Sequence, residues 1–281
     1  MQTSEQVQAR RMAMTPAPDV ARAVPAVWKP MPYSDVARVD AANVLARWTR
    51  LHVGQSLPRP PPGPLAEGWA LYHSGDFQRA AEIGLQHGSD GLTLANQATA
   101  IYANYLEPHE AARLALFMEV AERAGSLATL EPDNCHALYW EAYALGRYAQ
   151  GISVARALAQ GLGSKVKQTL ERVIALEPRH ADAHIALGAF HAEVIDKVGA
   201  LVGNMTYGVR AETAIDMFRR GIALNPASAS GWMEYARGLL MLEGESRIAD
   251  ATRFYEEASA IRPADARERL DVELARAGLS D

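Results

Sequence analysis

Apolar positions recur along most of the chain at intervals of three and four residues, the spacing that gathers one face of an α-helix. "SDVARVDAANVLARWTRLH" (34–52) shows it first, with Ala37, Ala41, Val44, Leu45, Trp48 and Leu51 on one stripe. Ser34 or Asp35 can cap its first free N–H groups. "LPRPPPGP" (57–64) must interrupt this helix, because proline donates no backbone hydrogen bond and restricts its predecessor. From 65 to 278 helical stripes continue with no alternating strand pattern to compete, which predicts an all-α chain.

The stripes also repeat. Four related phrases, "ATLEPDNCHALYW", "ALEPRHADAHIAL", "IALNPASASGWMEY" and "SAIRPADARERLD", place prolines at 132, 178, 226 and 263, separated by 46, 48 and 37 residues. Such a period marks a repeated helical hairpin with insertions. Aligned on the closing proline, small residues fall where two helices of a hairpin should approach most closely, and larger apolar residues surround them. The hairpin closing at Pro226 has Leu187, Gly188 and His191 on its first helix, then Ala214, Phe218 and Gly221 on its second. The one closing at Pro263 has Trp232, Tyr235, Ala236 and Leu239, then Ala251, Tyr255 and Ala258. Leu138, Ala142 and Leu145 with Val166, Leu170 and Val173 make the hairpin closing at Pro178. Two more lie upstream, one carrying Gly68, Leu71, Phe77 and Ala80, the other Ala98.

The expected architecture is therefore an α-solenoid of about five hairpins. A final helix, "DARERLDVELARAG" (265–278), keeps one face polar, as a terminal cap requires. Residues 1–33, with prolines at mixed spacing, read as an irregular arm, 34–64 as a helix plus proline-rich linker, and 65–281 as the repeat domain. Residues 146–165 and 193–213 lengthen two middle hairpins. Both contain apolar pieces, so they are expected to pack side by side as helical extensions on one edge.

These hairpins resemble tetratricopeptide repeats, most specifically in the last two. The long inserts, with Gly-Leu-Gly-Ser-Lys (161–165) before one second helix, resemble two groups built this way: the T-component of TRAP-type organic acid transporters, and the regulator of microtubule dynamics family. The resemblance spans about residues 92 to 263 and is strongest over 131 to 242. It implies a solenoid that works by binding rather than by catalysis, and it supplies no catalytic residue to carry over.

Composition narrows the partners. A net charge of −5 gives no overall electrostatic pull toward nucleic acid or an anionic surface. No apolar run is long enough to span a membrane, so membrane insertion is not expected. Cys135 is the single cysteine, which excludes an intrachain disulfide and a cysteine-based zinc site. The N-terminal stretch has no apolar core of a signal peptide, which points to a cytoplasmic protein.

Candidate chemistry is sparse. His180 and His184 could share a metal on one helix, but Pro178 sets His180 before the helix, so no metal site is expected. "QGLGSK" lacks the spacing and the preceding strand of a phosphate loop. Glu256 and Glu257 are adjacent on a helix and point apart, and no Gly-x-Ser-x-Gly elbow exists. No enzyme activity and no cofactor are expected. Tyr139, Tyr143, Arg147, Ile185, Ala189, Glu193, Met233 and Arg237 share the first-helix face that should line the concave groove. Aromatic residues and arginine concentrate binding energy, so a protein or peptide partner is the favoured occupant. Arg147 and Arg237 are expected to reach its carboxylates or carbonyls. The alternative is a small-ligand accessory of a TRAP-type transporter, with a cavity between the inserts lined by Val198, Leu201, Val202, Met205 and Tyr207. A homo-oligomer is compatible with either.

Overall fold

A computed structural model describes residues 27–280; most of the proline-bearing arm expected at 1–33 lies outside the described residues. Two short helices come first, α1 (Ala41–Ala46) and α2 (Trp48–Leu51). The helix expected over 34–52 thus starts late. Asp40, rather than Ser34 or Asp35, caps it by accepting from the Asn43 N–H. The stripe upstream is used differently: Val36 and Val39 pack against the main core from irregular backbone.

Five hairpins follow. They pair α3 (Pro64–His73) with α4 (Phe77–Gln86), and α5 (Gly88–Tyr105) with α6 (Glu110–Leu130). In the third, α7 (Cys135–Gln150) is followed by the insert helix α8 (Val154–Ala159) and then α9 (Leu162–Leu176). The fourth has α10 (Ala181–Val198), the insert helix α11 (Ala200–Tyr207) and α12 (Ala211–Leu224). The fifth joins α13 (Ala229–Glu243) to α14 (Ile248–Ala260), and α15 (Ala266–Gly278) closes the chain. No strand occurs among the described residues. The protein is an all-α solenoid of tetratricopeptide-like hairpins.

The repeated phrase has a local cause. Each proline ends one helix, and the residue two positions on caps the next. Asn134, His180, Ser228 and Asp265 all accept backbone N–H groups of the following first turn with their side chains. Stop and restart are thus written into one short motif. The small positions act as expected. A Cβ on Gly188 would sit 3.0 Å from the Ala214 carbonyl oxygen and from the Phe218 ring, and one on Gly221 3.0 Å from the Ala181 carbonyl oxygen, so α10 and α12 cross closely at both.

The last helix departs from a simple cap. It covers α13 and α14 with Val272 and Ala275, but also reaches back across the superhelix to the first hairpin. Ala266 and Leu270 belong to the same core as Val44, Trp69 and Tyr72. Its polar face, expected in solvent, is in part turned inward: Asp271 is 3% exposed. Arg50 clamps Glu268 at 2.8 Å and Arg269 meets Asp35 at 3.1 Å, so the N-terminal segment is tied to the C-terminal helix. Gly54 docks the same segment on the fourth hairpin. Its carbonyl accepts the Ala181 N–H at 2.6 Å, with φ at +74° and no room for a Cβ beside Ala181.

Candidate functional site

The inner faces of α5, α7, α10 and α13 surround a hollow whose floor is Arg267 of α15. It holds ≈ 100 Å³ that water-sized molecules can occupy, and ≈ 860 Å³ counting its open mouth. Helical spacing sets its walls: Tyr139, Tyr143 and Arg147 follow one another at four-residue steps on α7, as do Ile185, Ala189 and Glu193 on α10. Tyr105, Trp140 and Phe190 add further rings. Six of the eight expected groove residues therefore line one chamber.

The other two do not. Met233 is buried against Val272 and Ala275, because α15 lies over that side of α13. Arg237 lies with it in an adjoining hollow, donating from Nε to the Tyr255 hydroxyl at 3.2 Å. On α13 the chamber is lined instead by Ser230 and Glu234.

Charge in the chamber is largely spoken for. Arg147 donates to Glu234 at 2.8 Å and to Gln150 at 3.2 Å, with its guanidinium over the Tyr143 ring at 5.3 Å. It is not the unengaged cation that the spacing suggested. Burial pushes against the charge of Glu234, but Arg147 and Arg237 hold its carboxyl below the ordinary value. Glu193 differs. Its hydrogen-bond partner among the described residues is the Gln150 amide, and burial, reinforced by Glu234, lifts its pKa. It stands where the chamber meets a second hollow.

That second hollow lies between the inserts, ≈ 640 Å³ counting its mouth, with Val154, Leu158, Leu162, Phe190, Val198 and Tyr207 on its walls. Val198 and Tyr207 were expected here. Leu201, Val202 and Met205 are not on the lining; α11 turns them outward, 75%, 53% and 80% exposed. A helix capping a cleft can give it only one face: α11 gives the side that carries Tyr207, and Val198 comes from the end of α10.

Beneath the chamber runs a buried polar chain that no local pattern announces. His73 Nδ1 meets Asp265 at 2.6 Å and its Nε2 meets His52 at 3.3 Å. His52 reaches Gln55 at 3.2 Å, and Gln55 donates to Asp182 at 3.1 Å. Arg267 lies 3.5 Å from Asp182 and 3.8 Å from Asp271, which accepts from the Tyr105 hydroxyl. With His52 Nδ1–H donating to Gln55, its Nε2 is left to accept from the His73 ring. Burial takes His52 down to about 3 and lifts Asp271 to about 6, the latter against the pull of Arg267. Its members come from the N-terminal segment, the first, second and fourth hairpins and the last helix.

Among the described residues, no cluster of three His, Cys, Asp or Glu side chains is placed to hold a metal, and no helix is long and apolar enough to cross a membrane. His184 and His191 are buried where the repeat register puts packing residues. No protein-family model matches the chain, and no curated protein matches it. A solved structure that does is a thermophilic TPR protein from Thermus thermophilus. It is 18% identical and aligns over 76% of this chain and 97% of its own, with a TM-score of 0.54. The likeness is one of fold.

Proposed function

We propose that the protein is a non-catalytic scaffold that holds a segment of a partner protein at the concave chamber. One observation carries this reading: α15 and the N-terminal segment fill much of the inner face, yet the chamber stays hollow, rimmed by aromatic rings and by Glu193. Its interior suits one bulky side chain and not a folded strand. With Arg147 and Arg267 already facing carboxylates, Glu193 is the group left to recruit charge. A lysine or arginine of the partner would meet that carboxylate while lying against Tyr143 and Phe190. The expected polarity is thus the reverse of arginines capturing acidic residues. A cytoplasmic setting goes with this reading.

Ala189→Trp tests it, since Ala189 is half-buried on the chamber wall and a larger ring there closes the space. Affinity capture should lose its specific partner with Ala189→Trp and weaken with Glu193→Gln, at an unchanged melting temperature. An identical captured set from all three proteins would overturn the proposal.

A second reading has its own support. The apolar cleft between the inserts joins the chamber through Gly146, Gln150, Val166, Phe190 and Glu193, so a small amphiphile could span both. This is the accessory role that the resemblance to the T-component of TRAP-type transporters implies. Native mass spectrometry of the purified chain, showing a retained small molecule that Ala189→Trp releases, would favour it.

A further inference from the structure

The two inserts hold the largest concentration of exposed apolar side chains among the described residues. Val154 and Leu158, at the mouth of the cleft between the inserts, and Leu201, Val202 and Met205, turned outward from it, account for five of the twelve large hydrophobic side chains exposed among the described residues. They lie on α8 and α11, six and eight residues long. Residues 198–209 carry no charged side chain, and Arg156 is the one charge between 148 and 164. The two helices are neighbours, since Val154 and Leu158 of one and Tyr207 of the other flank the same cleft.

Charge around these ends runs against that of the chain. The exposed charged groups of the two inserts are Arg156, Lys165, Lys197 and Arg210 against Asp196 and Glu212. Three of the protein's four lysines, Lys165, Lys167 and Lys197, lie on or directly beside them, on a chain of net charge −5. Lys165 pairs with Glu141 at 3.1 Å and Lys167 with Glu171. Arg156, Lys197 and Arg210 have no ion pair among the described residues.

We infer that this pair of helix ends is a membrane-surface contact: α8 and α11 seat their apolar side chains among the headgroups of an anionic leaflet, with Arg156, Lys197 and Arg210 at phosphate level. Two arguments select lipid over protein. Helices of six and eight residues are only about 9 and 12 Å long. The patch they make falls well short of the roughly 800 Å² per partner of a stable protein interface. A lipid interface needs less, because an apolar wedge entering about 5–10 Å gains burial on all its sides at once. The cationic flank is the second argument: near an anionic surface each lysine or arginine contributes about 1 kcal/mol, whereas a second copy of an acidic chain would not offer a plane of negative charge. The contact is peripheral and does not require a spanning helix. It is independent of what the chamber holds.

Vesicle flotation of the full chain tests the inference, with phosphatidylcholine alone and with phosphatidylcholine containing one-quarter phosphatidylserine. Binding to the serine-containing vesicles and not to the neutral ones is expected. Leu201→Asp with Met205→Asp should reduce it at least tenfold, and Arg156→Glu with Lys197→Glu should abolish the preference for the anionic vesicles. These side chains are exposed, so the melting temperature should not move. A Leu201→Trp variant should show a blue-shifted increment in emission on the anionic vesicles. Absence of binding by the wild type, equal binding to both vesicles, or binding that survives the double aspartate would overturn the inference. So would a dimer in sedimentation that Leu201→Asp with Met205→Asp dissolves while vesicles remain unbound, since the patch would then join two copies of this chain.

Discussion

Along the axis of the superhelix, Asp182, Asp271 and the histidines at 52 and 73 are buried, while at the ends of the inserts Leu201 and Met205 stand in solvent. A hydrophobic pattern alone would have placed them the other way round. The two regions differ in what is available to cover them. The axis receives α15 and the N-terminal segment, so any side chain there loses water and must find a partner within the fold. The inserts project past the last element that could cover them. Covering, not hydrophobicity, decides exposure here.

Removing one member of the axial network should have the largest effect. Arg267→Met leaves Asp182 and Asp271 without their cation, and breaking a buried ion pair in this way costs about 3–5 kcal/mol. Chemical denaturation would measure it. Arg267→Met combined with Asp182→Asn and Asp271→Leu should recover much of the loss, because the uncompensated charges are then gone.

Acid should act on the same interior. Burial brings His136 and His191 down to about 4, and His52 to about 3. The unfolded chain therefore binds more protons than the folded one below the ordinary histidine pKa near 6.5. Stability present at neutral pH is lost as pH falls from about 6.5 through 4, by several kcal/mol in sum. Asp271, raised to about 6, works in the opposite sense: its carboxyl favours the fold when protonated, and that contribution fades as pH rises from about 4 to 6. Glu193, also raised, works with Asp271, while His180 and Glu234, both lowered, work with the three histidines, and the sum predicts a net fall in melting temperature on acidification. His191→Gln should flatten the curve and Asp271→Asn should steepen it.

A contact between the two regions sharpens the contrast further. Gly188 pins the hairpin that carries α11, with the Ala214 carbonyl oxygen 3.0 Å from where a Cβ would stand. Gly188→Leu should cost about 1–3 kcal/mol by overpacking. Gly188→Ala gains roughly 1 kcal/mol of helix propensity against crowding of similar size, and should melt near the wild type. Last, Leu201→Asp at the insert end should shift stability by no more than about 0.5 kcal/mol, since nothing covers that side chain. A large loss there would mean that the insert ends are covered in solution.

Much of the local structure was legible. The prolines at 132, 178, 226 and 263 gave the repeat, and Gly188, Ala214, Phe218 and Gly221 gave the close crossing of one hairpin, because both follow from rules that operate within one or two helical turns or one hairpin. The groove face was legible as far as Tyr139, Tyr143, Arg147, Ile185 and Glu193, whose helical spacing is fixed by the chain. Met233 and Arg237 line the adjoining hollow instead, because α15 covers that side of α13 from about thirty to forty residues away.

The sequence by itself determined that the repeat region is helical, where the proline-and-cap motifs stop one helix and start the next, and which side of each hairpin packs inward, since caps, prolines and 3.6-residue periodicity are properties of neighbours along the chain. Only the tertiary structure decided that the solenoid curls far enough for its last helix to meet its first hairpin. That closure depends on small rotations added up over five hairpins, and no stretch of sequence records the sum. It turned the polar face of α15 inward, joined His73 to Asp265 across 192 positions, and left the apolar insert ends uncovered.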